Sequence, residues 1–205
     1  MIVYLGMPKC ASTWLYNKIK KNFGYNGKKE PHTLVEYGTK NNNMIDFSTN
    51  NWSMDSSTAL KIDNDVSKYI FIVRDPIELA TSYYMQTKLK EESFNDFVFS
   101  LVKTKFICFG DIIERWYKLV DKKKILIYDY NKDIQGRHKA FISDVCKNLN
   151  LDSYDQTVPL QDKIFVTHNK PQLTCTDKNL NEIIKTQFTK FKQITQGWHL
   201  TIFNI

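Results

Sequence analysis

An α/β domain with a mainly parallel central sheet flanked by helices is predicted by three observations. "IVYL" (2–5), "YIFIV" (69–73) and "KILIY" (124–128) are short, continuous apolar runs, the pattern of strands buried on both faces of a parallel sheet. Segments of helical period separate and follow them. The first run passes directly into Gly, Pro, Lys and two adjacent hydroxyls at the start of a helix, a junction that suits an anion.

The elements follow in order. After the first strand, Leu15, Ile19 and Phe23 recur at four-residue spacing on one helical face. The strand ending at Val73 leads into "RDPIELATSYY", where Asp75 caps a helix, Pro76 takes its first position and Glu78 completes a D-x-x-E box. "SFNDFVFSLV" puts Phe94, Phe97, Val98 and Leu101 on one stripe behind a Ser93 N-cap, and "DIIERWYKLV" does the same with Ile112, Ile113, Trp116 and Val120. "HKAFISDVCKNL" and "NLNEIIKTQFTKFKQI" supply two closing amphipathic helices. Residues 38–57, rich in Asn, Ser and Thr, and residues 159–175, with two prolines, read as loops over the open face.

With 205 residues the chain suits a single domain, 1–205, large enough to bury a core without disulfides or metal. Its 42% hydrophobic and 25% charged content is ordinary globular usage, which suggests neither disorder nor a membrane protein. "IVYL" directly after Met1 lacks the basic start of a signal peptide, so a cytoplasmic setting is expected. The cysteines, Cys10, Cys108, Cys146 and Cys175, are scattered, and His138, His168 and His199 are not grouped, so neither disulfides nor a metal site is expected. A net charge of +7 favours anionic ligands without naming one. Abundant Asn, Lys and Ile point to an AT-rich genome, bacterial or viral.

Two stretches carry the chemistry. In "YLGMPKCASTWLY" (4–16), Lys9 stands three residues after Gly6 and three before Ser12, so the G-x-x-x-x-G-K-[ST] loop of nucleoside triphosphatases is not matched. Its physics survives: a turn at a helix N-terminus aims N–H groups and the positive dipole end at an anion, and Lys9, Ser12 and Thr13 add a charge and two donors. In "YIFIVRDPIELATSYY" (69–84), Arg74 ends a buried strand at the edge where α/β sheets bind ligands, and Ser82 follows two helical turns later. Capping accounts for Asp75, Pro76 and Glu78 but leaves Arg74 to another purpose.

"PKCASTW" and "VRDPIELATSYY", in that order, resemble the two nucleotide motifs of the sulfotransferases that use 3′-phosphoadenosine 5′-phosphosulfate (PAPS). Ala11 departs from the family's usual Gly, and Leu79 falls where many members carry a second Arg. "FGDIIERWYKLVDKKKILIYDYNKDI" is similar to the family's helix, strand and "YEDL" segment, and "THNKP" to its late loop. The resemblance implies a sulfotransferase fold like that of the P-loop nucleoside triphosphate hydrolases, with sulfuryl transfer from PAPS to a hydroxyl or amine, release of 3′-phosphoadenosine 5′-phosphate (PAP), and no metal. Lys9, with the backbone of Cys10, Ala11, Ser12 and Thr13, would then hold the 5′-phosphosulfate. Trp14 would lie near the adenine, Arg74 and Ser82 would bind the 3′-phosphate, and Lys170 would close as a lid contact. In "KKEPHTL", Glu30 is the implied general base and His32 the second candidate. The implied partner is a small-molecule or carbohydrate acceptor, with neither nucleic acid nor membrane; the oligomeric state stays open. Two other readings compete: a P-loop kinase, with Asp129 at the end of "ILIYD" as a magnesium carboxylate, and a basic nucleic-acid binder built on runs such as "NKIKK" and "DKKK".

Overall fold

The computed structural model describes residues 1–23, 45–87, 92–136, 138–148 and 173–195. The chain divides into two compact units, one of residues 1–73 and 119–166, the other of residues 74–118 and 167–205.

The first unit holds a four-stranded, wholly parallel sheet: β1 (Ile2–Tyr4), β2 (Ile45–Asp46), β3 (Lys68–Val73) and β4 (Ile125–Asp129), in the order β2-β1-β3-β4. Val3 pairs with Asp46 on one side and Tyr69 on the other, and Tyr69 to Val73 run level with Ile125 to Asp129. β1 is buried throughout and β3 from its second residue onward, as expected of strands with no solvent face. Its helices are α1 (Ser12–Phe23), α2 (Ser56–Asp63) and α6 (His138–Asn148). The step from β1 to β2 and the step back across β1 to β3 run in opposite directions. Right-handed crossovers therefore assign α1 and α2 to opposite faces of the sheet.

The expected α/β class and parallel sheet are found, and the three apolar runs are β1, β3 and β4. The reading of residues 38–57 as a loop is corrected within its described part. β2 starts at Ile45, a 3-10 turn spans Asn51–Ser53, and α2 begins at Ser56. β2 has two residues, too few to show a period, and owes its place to pairing with β1. α2 is set by Asp55, whose carboxylate accepts hydrogen bonds from the Ser57 hydroxyl and, at 2.9 Å, from the Thr58 N–H; these bonds hold its carboxyl well below the usual range.

The second unit is helical: α3 (Pro76–Thr87), α4 (Phe94–Lys103), α5 (Phe109–Leu119) and α7 (Lys178–Thr195). The Ser93 cap forms as expected, its hydroxyl accepting the Asp96 N–H at 3.2 Å. Tyr83 and Tyr84 of α3 meet Phe97 of α4 edge-on, with ring centres 5.7 and 5.3 Å apart. α5 and α7 are joined by polar groups. Gln187 Oε1 accepts the Asp111 N–H at 3.0 Å, and Lys190 Nζ lies 2.8 Å from Asp111 and 2.7 Å from Glu114. Gly110 makes this approach feasible, because a Cβ there would stand 2.5 Å from the Gln187 carbonyl oxygen and 2.9 Å from Lys190 Cβ.

Gly110→Ala tests that contact. The backbones of α5 and α7 must separate to admit the methyl, so urea unfolding should show a loss of roughly 1–3 kcal/mol. Unchanged stability would mean that the two helices are not held this close.

Candidate functional site

The loop between β1 and α1 is built from backbone constraints. Lys9 (φ 70°) and Ala11 (φ 64°) are both left-handed, with Cys10 between them at negative φ. Alternation of this kind turns successive N–H groups into one concavity, an anion-binding nest. Left-handed backbone costs a residue bearing Cβ about 1–2 kcal/mol, so the tertiary structure must hold it. The hold is visible. Tyr4, wholly buried at the end of β1, donates its hydroxyl to the Cys10 carbonyl at 2.7 Å, and the Cys10 N–H reaches the Met7 carbonyl at 3.2 Å. Gly6 is required beneath the tyrosine, because a Cβ there would stand 2.2 Å from the phenol oxygen and 2.3 Å from its ring carbon.

α1 starts where this loop ends. The Ala11 carbonyl accepts the Leu15 N–H at 2.9 Å, which makes Ala11 the N-cap residue. Alanine has no side-chain oxygen with which to cap the first-turn amides, and that turn contains no acidic residue. Amides and dipole alike thus favour an anion. Thr13 is exposed, Lys9 is half-buried and Ser12 is buried. Trp14 belongs to the interior: it is 5% exposed, stacks on Phe141 of α6 at 6.1 Å, and carries Lys18 Nζ over its ring at 5.9 Å. The structure therefore brings Lys9 to Trp14 together in one loop and helix start, with Trp14 backing it from inside.

Arg74 and Ser82 lie in the second unit. Asp75 and Pro76 act as expected, the Asp75 carboxylate accepting the N–H groups of Ile77 and Glu78, each at 2.9 Å. Arg74, Glu78 and Ser82 fall at four-residue intervals along α3 and the residues just before it, hence on one stripe. The Arg74 side chain is 14% exposed and Ser82 is 4% exposed; Arg74 Nε lies 3.4 Å from Glu78 Oε2. An anion at Arg74 would compete with this carboxylate for the guanidinium. Leu79 of α3 is fully buried.

Glu30, His32 and Lys170 lie outside the described residues. Asp129, the magnesium carboxylate of the kinase reading, is buried. Its Oδ1 accepts the Lys132 N–H at 2.8 Å, and its own N–H donates to Asp133 Oδ2 at 2.8 Å. Burial pushes its carboxyl up, backbone N–H groups of Lys132 and Asn131 pull it down, and the Asp133 charge adds to the rise. Together these groups start the π-helical turn Tyr130–Gly136. Sequence reasoning missed Tyr4, whose phenol at the end of an apolar strand just before Gly was the available signal.

No protein-family model matches the chain, and no curated protein matches it. Among solved structures, the chain is similar to a sulfotransferase from Alicyclobacillus acidocaldarius, with a TM-score of 0.59 over 94% of each chain at 10% sequence identity. The chain has the sulfotransferase fold. Among the described residues, no helix is long and apolar enough to cross a membrane.

Two substitutions test the loop. Ala11→Gly removes left-handed strain of about 1–2 kcal/mol and adds unfolded-chain entropy of about 0.4–1 kcal/mol, so a net gain near 0.5–1 kcal/mol is expected by denaturant unfolding. Tyr4→Phe strips the Cys10 carbonyl of its buried donor and should cost about 1–3 kcal/mol. A loss of stability in Ala11→Gly would contradict the left-handed assignment.

Proposed function

We propose that the chain is a sulfotransferase that moves a sulfuryl group from PAPS to a hydroxyl or amine of a small-molecule or carbohydrate acceptor. The observation that carries this reading is the left-handed loop at Lys9 and Ala11 leading into α1, in a chain with the fold of a sulfotransferase. The N–H groups of residues 11–13 and the Lys9 ammonium take the 5′-phosphosulfate, helped by Thr13 and Ser12, while the Cys10 N–H is held by the Met7 carbonyl and shapes the loop. Arg74 and Ser82 take the 3′-phosphate, the group that separates this donor from ATP; a guanidinium matches a phosphate dianion in charge and geometry. Lys170 adds a lid contact.

In the transfer, the acceptor oxygen attacks sulfur while Glu30 takes its proton, with His32 as the other candidate base. The bond from sulfur to the bridging oxygen breaks, and the electron pair stays on the 5′-phosphate of PAP. Lys9 and the loop amides meet this developing charge, so they act in the manner of an oxyanion hole. The kinase reading draws less support, because the Asp129 carboxylate is engaged in capping the following π-helical turn.

The reading is tested first with nucleotides. PAP should raise the melting temperature more than ATP with magnesium or a short oligonucleotide does. Arg74→Ala should weaken PAP binding by about ten-fold or more, while adenosine 5′-phosphosulfate, which lacks the 3′-phosphate, binds mutant and wild type alike. Equal discrimination by the mutant would remove Arg74 from the 3′-phosphate site.

The chemistry is tested by two further variants. Lys9→Ala should lower donor affinity and turnover together, whereas Glu30→Gln should leave donor binding intact and slow an alcohol acceptor by roughly a hundred-fold. An acidic phenol, partly ionised unaided, should suffer less in Glu30→Gln. Near-normal turnover of the alcohol by Glu30→Gln, with a folded but inactive His32→Ala, would move the base role to His32.

A further inference from the structure

The turn that follows β2 encloses two acceptor oxygens that the described residues do not satisfy. Asp46 and Asn51 are both 0% exposed, and Ser48 and Thr49 between them are buried as well. Asp46 Oδ1 is well served, accepting the Ser48 N–H at 2.8 Å and Asn51 Nδ2 at 3.2 Å. Asp46 Oδ2 and Asn51 Oδ1 are buried and meet no hydrogen-bond donor among the described residues. The amide of Asn51 cannot be turned to relieve this, since its oxygen would then face Asp46 Oδ1. No lysine, arginine or histidine among the described residues pairs with Asp46.

A carboxylate withdrawn from water without a partner costs several kcal/mol, and buried charges are as a rule paired or coordinated. The two oxygens belong to side chains joined by one hydrogen bond, which keeps both within the same short turn. Both are acceptors, so their complement carries positive charge or donors only. Among the described residues no group of three His, Cys, Asp or Glu side chains comes together, so the site offers one carboxylate with neutral oxygens around it. Charge balance then selects the ion. One carboxylate neutralises a monovalent cation, whereas a divalent ion would leave a net positive charge buried in its place. Hard oxygen ligands suit an alkali ion and not a soft metal.

We propose that the β2 turn binds a monovalent alkali cation through Asp46 Oδ2 and Asn51 Oδ1, with the Ser48 and Thr49 hydroxyls as further oxygens of the same turn. The ion has a structural task. β2 is a two-residue strand paired with β1, so closing the turn at its carboxyl end stabilises the edge beside the strand that feeds the Lys9 loop. This site is independent of the sulfuryl transfer proposed above and takes no part in it.

The test is thermal unfolding of the whole chain at fixed ionic strength in sodium, potassium or choline chloride. Choline is too large to enter and donates no hydrogen bond from its ammonium. Wild type should melt roughly 2–4 °C higher in sodium or potassium than in choline, with saturation as the alkali ion replaces choline. The smaller and larger ion arms identify which fits. Asp46→Asn keeps the shape and removes the charge, so its melting temperature should not depend on the cation. Should Asp46→Asn fail to fold, Asn51→Ser should weaken the response, and sodium-23 relaxation in wild type should show bound sodium that potassium displaces. Wild-type melting that is blind to the cation, or an undiminished cation response in Asp46→Asn, would overturn the proposal and leave the two oxygens to a buried water.

Discussion

The hydrogen bond from the Tyr4 hydroxyl to the Cys10 carbonyl is the constraint on which the candidate site depends. It ties a loop with two left-handed residues to a side chain that the sheet has already fixed. Tyr4 is held in place, because it ends a strand buried on both faces, and Gly6 gives its ring room to reach across the loop. The cost of the left-handed residues is thus carried by the packing of β1, which orients the amides of the loop through the Tyr4 contact. Preorganisation of this kind matters for charge stabilisation, since dipoles already aimed need no reorganisation when charge develops.

The same logic separates the two charged residues assigned to the nucleotide. Lys9 is half-buried at a left-handed position of its loop, and under the proposed function its ammonium would meet charge as it shifts onto the leaving oxygen. Arg74 is a planar guanidinium, mostly buried at the start of α3, beside Glu78. That carboxylate, 3.4 Å from Arg74 Nε, tempers its charge, so under the proposed function a dianion would have to displace or share it. A dianion with a bidentate fit does so; a weaker or singly charged anion gains less. Glu78 also stands in the first turn of α3, where a carboxylate complements the helix dipole.

Much of the fold was legible because strong local signals coincided with burial. β1, β3 and β4 are continuous apolar runs, α4 carries its Ser93 cap, and α3 begins at Asp75 and Pro76 as the sequence requires. β2 and α2 were not legible. A two-residue strand has no period of its own and exists only through its partner, while α2 is short and set mainly by one cap at Asp55. In the site, Lys9, Ser12 and Thr13 could be read from residue type and order. Tyr4 left only the signal of a phenol at the end of an apolar strand just before Gly, and Asp46 and Asn51, in the separate turn after β2, left none, because their importance lies in which atom each one reaches or fails to reach.

Alanine at position 11 holds a left-handed backbone angle that a residue pattern would assign to glycine. A pattern written in residue types expects glycine wherever the backbone is left-handed, since glycine adopts that conformation freely. The physical requirement is the backbone angle, not the residue, and any side chain small enough to fit can meet it if the surroundings offset about 1–2 kcal/mol. Here the Tyr4 tether and the following helix hold the angle, so alanine suffices. The nest is accordingly better recognised from φ values and hydrogen bonds than from the letters of the loop.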